Sequence, residues 1–399
     1  MKILQVNKYM HQVGGAESYM FSLSRALVEE GFDVAYWGME HADMLVEDKY
    51  GTFAEEIDYG SMGLLKKFSK SFATVYSGKN RSKMAKILDR FRPDIVHLHN
   101  YNFQLTASIL PEMHKRGIKV VQTIHDSQMV CPYHRLYNFQ RDATCTKCVE
   151  GSFVNCIKDR CFNDSYFQST LGALESTLYH GLNYYNRYLD AIISPSQFLA
   201  DLVSRRVDVP IRVIPNFYQL PSDFILSPSN NRDYYLYYGR VSPEKGIVEF
   251  QEMANKLKFK LLVVGKGESV DRIKNTAYVT YLGPKYGNEL LTLIAGAKAV
   301  VQPAKWYENC PMTVIESYAV GTPVICSDHS GFKELVDPEK TGYLLNFDSP
   351  DAHQNWKAMD DELTNRSFFT ACRERFNQHY SKQCHMRDVT QLYQTTYGK

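Results

Sequence analysis

Short apolar runs alternate with helix-length amphipathic segments along most of the chain. In the first half this pattern predicts strands at Lys2–Val6, Asp33–Trp37, Asp94–His99, Lys119–Ile124, Ala191–Ser194 and Arg212–Pro215. In the second half it predicts strands at Tyr234–Tyr238, Lys260–Val264, Val279–Leu282, Ala299–Gln302, Pro323–Cys326 and Gly342–Leu345. Nearly continuous apolar strands are typical of parallel sheets that helices cover on both faces. The sequence therefore predicts an α/β protein.

Amphipathic stretches between these strands predict helices at Glu17–Glu30, Met84–Phe91, Gln104–Arg116, Ser169–Tyr188 and Ser196–Arg205, and a last helical stretch runs from Phe368 to Tyr397. The polar, proline-containing segment Phe217–Arg232 is typical of a linker. A chain of 399 residues also exceeds the size at which one core usually stops growing. We expect a first domain at 1–216, a second at 217–375 and a C-terminal helix at 376–399 that crosses back.

Composition narrows the function classes only slightly. A net charge of +2 and a hydrophobic content of 44% indicate an ordinary globular protein without the field of a nucleic-acid binder. No apolar run approaches the ~18 residues of a spanning helix, and the first strand is too short for the apolar region of a signal peptide. We therefore expect a cytoplasmic protein whose nine cysteines are thiols or metal ligands.

Two turns that follow predicted strands carry candidate anion-binding groups. Gly14 and Gly15 precede a helix whose free N–H groups favour an anion, although a plain tight turn gives the same pattern. Arg240 and Lys245 lie on the turn Gly239–Gly246, at the carboxyl end of a strand where open α/β sheets bind ligands. There they can clamp a diphosphate; the alternative is a solvated basic turn.

Two glutamates eight positions apart form the third candidate feature. Glu308 falls in the loop after the strand Ala299–Gln302, and Glu316 falls in the helix that Pro311 opens. Both carboxylates can accept hydrogen bonds from sugar hydroxyls above the sheet edge. The alternative is two unrelated surface glutamates.

These features and their order resemble family 4 of the retaining glycosyltransferases, of the bacterial polysaccharide and lipid-linked glycan type. The matching segments are Gly14-Gly15-Ala16-Glu17, Pro93-Asp94-Ile95-Val96-His97, Thr123-Ile124-His125-Asp126, Ser194-Pro195-Ser196, Val213-Ile214-Pro215-Asn216, Gly239-Arg240 with Lys245-Gly246, Gly265-Lys266-Gly267, Tyr281-Leu282-Gly283, the two glutamates and Gly321-Thr322-Pro323-Val324. The resemblance implies the GT-B fold, in which two Rossmann-like domains face each other across a cleft.

The resemblance also implies residue roles. Arg240 and Lys245 would hold the donor diphosphate, Glu308 would contact the transferred sugar, and His125 would lie beside that sugar. The other implied donor contacts are Gly14, Gly15, Asn216, Gly267, Leu282, Pro311, Met312 and Glu316. On the acceptor side we expect His99, Asn100 and Asp126. Without the family, His125 is equally a packed histidine at a strand end.

The implied reaction transfers a sugar, with retention, from a UDP- or GDP-linked donor to a glycan or lipid-linked glycan in cell-surface polysaccharide biosynthesis. No cofactor is needed, because fixed cations stabilise the leaving diphosphate. Pro311 departs from the family by offering no N–H to the sugar. Two alternatives stay open, a GT-B sugar-nucleotide epimerase and a non-catalytic sugar-nucleotide-binding subunit.

The loop Ser127–Asp164 carries five cysteines and little periodicity. Cys145 and Cys148, with Cys156 and Cys161, have a spacing that can close a structural zinc site. Cys131 or His134 can substitute for one of them. The alternative is a set of reduced buried cysteines.

Predicted helices at Leu64–Tyr76 and Lys79–Arg92 carry many cations and one acid, Asp89. Such a surface suits anionic lipid headgroups, which favours peripheral contact with the inner face of the cytoplasmic membrane through residues 64–92. The alternative is an ordinary solvated helix face.

Overall fold

The computed structural model describes residues 1–56, 73–226 and 232–398. Contacts divide the chain into two compact units. Unit 1 comprises Met1–Gln140, Cys145–Ile214 and Met386–Lys399, and unit 2 comprises Arg141–Thr144 and Pro215–His385. Most of the predicted helix Leu64–Tyr76 and the middle of the predicted linker Phe217–Arg232 lie outside the described residues.

Unit 1 contains a six-stranded parallel sheet. Its strands are β1 (Lys2–Val6), β2 (Asp33–Trp37), β3 (Ile95–Leu98), β4 (Lys119–Thr123), β7 (Ala191–Ser194) and β8 (Ile211–Val213), in the order β2-β1-β3-β4-β7-β8. The two short strands between β4 and β7 are β5 (Tyr137–Asn138) and β6 (Ala143–Thr144). The strand order changes direction at β1, where the carboxyl ends of β1 and β3 open a crevice typical of ligand binding.

Helices of unit 1 cover this sheet. They span Gly15–Glu29, Gly78–Phe91, Leu110–His114, Lys147–Glu150, Val154–Lys158, Tyr166–Gly181, Tyr184–Tyr188 and Gln197–Val203. The predicted helix Ser169–Tyr188 is interrupted after Gly181, because Asn183 adopts a left-handed conformation with φ of 55°. The cysteine loop, predicted to be irregular, contains two of the short helices.

Unit 2 contains a second six-stranded parallel sheet. Its strands are β9 (Tyr235–Tyr238), β10 (Leu261–Val264), β11 (Val279–Gly283), β12 (Ala299–Gln302), β13 (Val324–Ser327) and β14 (Gly342–Leu345), in the order β11-β10-β9-β12-β13-β14. The strand order changes direction at β9, between β10 and β12. All twelve predicted strands are present in the two sheets, and the predicted α/β class is confirmed.

The helices of unit 2 pack their apolar faces on a single core. They span Ile247–Leu257, Gly287–Gly296, Met312–Ala319, Phe332–Leu335, Ala352–Asn365 and Phe369–His379. The predicted last helix is divided in two: Phe369–His379 ends before Tyr380, and a separate helix spans Lys382–Tyr397. The Tyr380 carbonyl accepts from the Tyr218 N–H at 3.1 Å, which fixes the chain at this break.

Candidate functional site

The loop between β12 and the helix Met312–Ala319 fixes the backbone of Glu308. Its N–H donates to Ser330 Oγ at 3.1 Å, and its carbonyl accepts from the Gly331 N–H at 3.0 Å. A Cβ on Gly331 would lie 1.7 Å from the Asn309 carbonyl oxygen, so only glycine permits this close approach. The loop after β13 therefore holds the loop after β12.

The Glu308 carboxylate lies in a largely buried, cationic environment. It forms an ion pair with Lys245, and its Oε1 accepts from Trp306 Nε1 at 2.7 Å. Burial alone raises the pKa of this carboxyl, but the Lys245 charge and the donated hydrogen bonds outweigh burial and lower the pKa below its ordinary value. Glu308 is therefore an ionised acceptor at neutral pH.

Trp306 also contacts both candidate cations. The Arg240 guanidinium lies 5.5 Å and the Lys245 ammonium 5.1 Å from its ring centroid, distances typical of cation–π contacts. Arg240 pairs in addition with Glu244 at 3.2 Å, and Glu244 is only 1% exposed. The structure thus brings Arg240, Lys245 and Glu308 around one indole.

Two residues of this site, Trp306 and Glu244, were not predicted from the sequence. A usable signal was present, because Trp306 is one of only three tryptophans and stands two positions before Glu308. Glu244 lies between the two cations, and its carbonyl accepts from the Lys305 N–H at 2.9 Å. The basic turn and the Glu308 loop are therefore hydrogen-bonded to each other.

Glu316 occupies the second turn of the helix Met312–Ala319. The residue is half-buried, and burial of its carboxyl raises the pKa to about 7, against a smaller lowering by the Tyr238 hydroxyl. Among the described residues, no hydrogen bond or ion pair joins Glu316 to Arg240, Lys245 or Glu308. Glu316 is thus a separate acceptor, and its charge changes near neutral pH.

The remaining donor candidates of unit 2 differ in what they contact. Asn216 donates from Nδ2 to the Cys310 carbonyl at 2.9 Å, which ties it to the Glu308 loop. A Cβ on Gly267 would lie 2.1 Å from the Val241 carbonyl oxygen, so glycine is required where the loop after β10 crosses the loop after β9. Pro311 caps the helix that Met312 begins, and Leu282 is half-buried near the end of β11.

In unit 1 the Gly14–Gly15 turn is closed by a side chain of its own helix. Glu17 is 4% exposed, and its Oε2 accepts from the Gly14 N–H at 3.0 Å. Its Oε1 accepts from Asn7 Nδ2 at 3.1 Å, and Asn7 Oδ1 in turn accepts from the Asn100 N–H at 3.0 Å. One N–H of the turn whose backbone is predicted to assist diphosphate binding is thus already engaged by a carboxylate.

His125 follows β4 and contacts a second histidine. Its Nε2 lies 2.9 Å from His99 Nδ1, and burial lowers the pKa of His125 to about 4. The predicted acceptor residue Asp126 accepts from the Gln128 N–H at 3.0 Å and lies 3.7 Å from His134 Nδ1. At neutral pH His125 is therefore an uncharged ring.

The five cysteines of the loop converge on one place. Cys131, Cys145, Cys148, Cys156 and Cys161 line a cavity of about 20 Å³, and all are free thiols. Burial raises the pKa of Cys131 to about 11, and burial with neighbouring thiols raises that of Cys148 to about 12. Within residues 1–56, 73–226 and 232–398, no group of three or more His, Cys, Asp or Glu residues is arranged to hold a metal ion. The structure does not support the predicted zinc site.

The described part of the predicted basic surface is largely engaged within unit 1. Arg81 pairs with Glu112 at 2.7 Å, and Lys79 pairs with Glu55. Lys83 and Arg90 donate to the carbonyls of Phe53 and Tyr50. Membrane contact through residues 64–92 stays a prediction. No helix in the described part of the chain combines the length and apolar character needed to cross a bilayer.

Comparison with known families decides what kind of protein carries this site. Residues 13–220 match the family model for Glycosyltransferase Family 4, and residues 222–378 match the model for Glycosyl transferases group 1. The chain belongs to Glycosyltransferase Family 4. The predicted family is therefore confirmed, and Arg240, Lys245, Glu308 and Glu316 lie in the region of the chain that matches the group 1 model.

Two curated relatives resemble parts of this chain. The GDP-mannose-dependent alpha-mannosyltransferase of Mycolicibacterium smegmatis is 36% identical over 115 residues, 28% of this chain and 30% of that protein. The UDP-Gal:alpha-D-GlcNAc-diphosphoundecaprenol alpha-1,3-galactosyltransferase of Escherichia coli is 26% identical over 157 residues, 35% of this chain and 40% of that protein. The chain thus aligns with less than half the length of either relative.

A solved structure extends the likeness to the whole chain. Sucrose-phosphate synthase from Thermosynechococcus elongatus superimposes with a TM-score of 0.68 at 18% identity, covering 100% of this chain and 99% of that one. At this identity the likeness concerns the fold alone. The prediction of two Rossmann-like domains is confirmed.

Proposed function

We propose that this family 4 chain is a retaining glycosyltransferase that moves a sugar from a nucleotide diphosphate to a hydroxyl of a glycan or lipid-linked glycan. The observation that carries the proposal is the grouping of Arg240, Lys245 and Glu308 around Trp306. An arginine and a lysine beside an ionised acceptor suit a ligand that joins a diphosphate to a sugar.

The proposed chemistry is a same-face displacement. The bond between the anomeric carbon and the phosphate oxygen breaks, and a bond to the acceptor oxygen forms on the same face. The acceptor hydroxyl gives its proton to the departing phosphate oxygen, so no protein base is consumed. Arg240 and Lys245 stabilise the negative charge that develops on the diphosphate, a contribution typically worth ~10²–10³ in rate for each such group.

The acidic residues would bind hydroxyl groups. Glu308 accepts a hydrogen bond from a hydroxyl of the transferred sugar. Lys245 keeps this carboxylate charged while the hydrogen-bond partners of the carboxylate change. Glu316 accepts from the ribose hydroxyls. His125 would lie beside the sugar, and Asn216 would hold the Glu308 loop through the Cys310 carbonyl rather than touch the donor.

We further propose UDP- or GDP-linked sugars as donors. The relatives that support this choice carry GDP-mannose and UDP-Gal in their names, and the second acts on a sugar attached to diphosphoundecaprenol. The acceptor would accordingly be a glycan or a lipid-linked glycan of cell-surface polysaccharide synthesis.

Two substitutions test the site. Glu308→Gln should lower kcat by about 10²–10³ while nucleotide affinity stays near the wild-type value, because in the proposed complex this carboxylate contacts the sugar and not the nucleotide. Arg240→Ala should weaken nucleotide binding and turnover together. Both are measured by initial rates and by titration calorimetry with UDP and GDP.

Asp233→Asn serves as the matched control, because Asp233 pairs with Lys260 at 2.9 Å in the same unit but on the exposed surface. It should leave rate and affinity unchanged. Full turnover by Glu308→Gln would refute the proposed role of Glu308. Conversion of a sugar nucleotide to its epimer without any acceptor would instead establish the epimerase alternative.

A further inference from the structure

Polar side chains form a row across the sheet of unit 1, at the carboxyl ends of β1, β3 and β4. Gln5 on β1 is paired with His97 on β3, and His97 is paired with Val121 on β4. Side chains at alternate positions of a strand point to the same face of the sheet. His99 therefore lies on the same face as His97, and His125 lies on the same face as Val121. The alternation of the strands thus brings Gln5, His99 and His125 together.

These three side chains form a hydrogen-bonded chain. Gln5 Oε1 lies 2.7 Å from His99 Nε2, and His99 Nδ1 lies 2.9 Å from His125 Nε2. Gln5 is fully buried and His99 is 1% exposed. The rings of His99 and His125 are stacked with their centroids 5.2 Å apart. Solvent therefore does not compete for these contacts at Gln5 and His99.

These hydrogen bonds determine which ring nitrogen of each histidine carries the proton. With Gln5 Oε1 as the acceptor, His99 carries its proton on Nε2 and donates to Gln5. Burial, with the neighbouring rings of His97 and His125, lowers the pKa of His99 well below its ordinary value, so the ring is neutral and its Nδ1 has a lone pair. That lone pair accepts from His125 Nε2–H. Since His125 is also neutral, its own Nδ1 has no proton.

Among the described residues, His125 Nδ1 has no hydrogen-bond partner, because the contact with His99 uses the other ring nitrogen. We propose that Gln5 and His99 are positioning residues that fix the tautomer of His125, so that Nδ1 accepts a hydrogen bond from a hydroxyl of the transferred sugar. This inference rests on the proposed function for the placement of the sugar. The tautomer itself follows from the contacts within unit 1.

The test reads the tautomer directly. Full-length protein with ¹⁵N-labelled histidine rings is examined by NMR at pH 7, and the His99 and His125 signals are assigned from the spectra of His99→Gln and His125→Gln. Proton on Nε2 is expected for both rings. A His125 ring that carries its proton on Nδ1, or that is charged, would overturn the inference.

Gln5→Leu removes the acceptor that orients His99. Mixed tautomers are then expected at His125, with kcat reduced about tenfold, the rate equivalent of one hydrogen bond to the sugar, while affinity for UDP or GDP without a sugar is unchanged. An unchanged tautomer in Gln5→Leu would contradict the positioning role.

Thr123→Val is the matched control. Thr123 is equally buried and contacts His97 Nε2 at 2.7 Å, outside the chain that runs from Gln5 to His125. It should leave the His125 tautomer and kcat unchanged. If the tautomer is as expected but His125→Gln retains full activity, the proposed role of His125 at the sugar fails while the tautomer assignment stands.

Discussion

Trp306 contacts a carboxylate and two cations through different parts of one side chain. The indole N–H donates to Glu308 in the plane of the ring, whereas Lys245 and Arg240 lie near the ring face. Because the indole carries no charge, it holds these ions near one another without neutralising any of them. The neutralising partners are carboxylates instead, because Lys245 pairs with Glu308 and Arg240 with Glu244.

The raised pKa of the Glu316 side chain predicts that the stability of the protein depends on pH. An unfolded glutamate ionises near pH ~4.3, whereas burial raises the pKa of folded Glu316 to about 7. Between these values the folded chain binds more protons than the unfolded chain, so stability falls as pH rises through this window. Glu316→Gln removes this loss, on the order of 1–3 kcal/mol, and should melt at a progressively higher temperature than wild type from pH ~5 to ~8.

Thermal unfolding at a series of pH values measures the effect. Glu374→Gln is the control, because Glu374 is exposed on the helix Phe369–His379. The control should follow the wild-type curve throughout. A constant difference between Glu316→Gln and wild type across this pH range would show that Glu316 is not protonated in the folded protein near neutral pH.

The cysteine loop brings its five cysteines to one cavity and contains two very short helices. Lys147–Glu150 and Val154–Lys158 each complete about one turn, which is too short to be stable alone. Arg206 donates to the carbonyls of Cys148 and Val149, at 2.7 Å in each case, and its guanidinium lies 4.3 Å from the centroid of Phe153. Tertiary contacts therefore hold this loop in place.

The thiols of this loop should react slowly in the folded protein. The raised pKa of Cys131 and Cys148 reduces their thiolate fraction at pH ~8 by roughly 10²–10³ relative to an ordinary cysteine. Alkylation followed by peptide mass spectrometry should find both unlabelled before denaturation and labelled after it. One equivalent of zinc in protein purified without chelator would contradict free thiols at this cavity.

At the scale of the whole molecule, the chain leaves unit 1 after Ile214 and returns to it at Met386. The returning segment contributes to the core of unit 1: Met386, Val389 and Tyr393 are each at most 1% exposed, and Tyr393 contacts the ring of His97. Unit 1 is therefore incomplete without the last helix, although its sheet is finished by residue 213.

Deletion of residues 386–399 should destabilise unit 1. The three buried side chains contribute about 1.5–3 kcal/mol each, so a loss of several kcal/mol is expected. Calorimetry should show one melting transition lowered or lost, since separate domains unfold as separate transitions. A chain that ends at Tyr397 is the control and should melt like wild type. An unaltered melting profile for the longer deletion would contradict the packing of this segment.

The amino-acid sequence was sufficient to predict the α/β class, all twelve sheet strands and three charged candidates that follow strands of unit 2, namely Arg240, Lys245 and Glu308. The strands could be predicted because parallel strands that are covered on both faces are continuous apolar runs in the sequence. The charged residues could be predicted because the loops after β9 and β12 lie at the same edge of the sheet. Family membership was visible for a related reason, since short motifs keep their order along the chain.

Which side chains contact each other became visible only in the folded structure. Trp306 and Glu244 contact the predicted site, but no periodic pattern in the sequence indicates these contacts. The hydrogen bond from the Gly14 N–H to Glu17 likewise could not be predicted from the turn motif. The helix breaks at Asn183 and Tyr380 likewise depend on local conformation and packing. Side-chain partners and proton positions follow from distances between strands and loops, and those distances are a property of the folded chain alone.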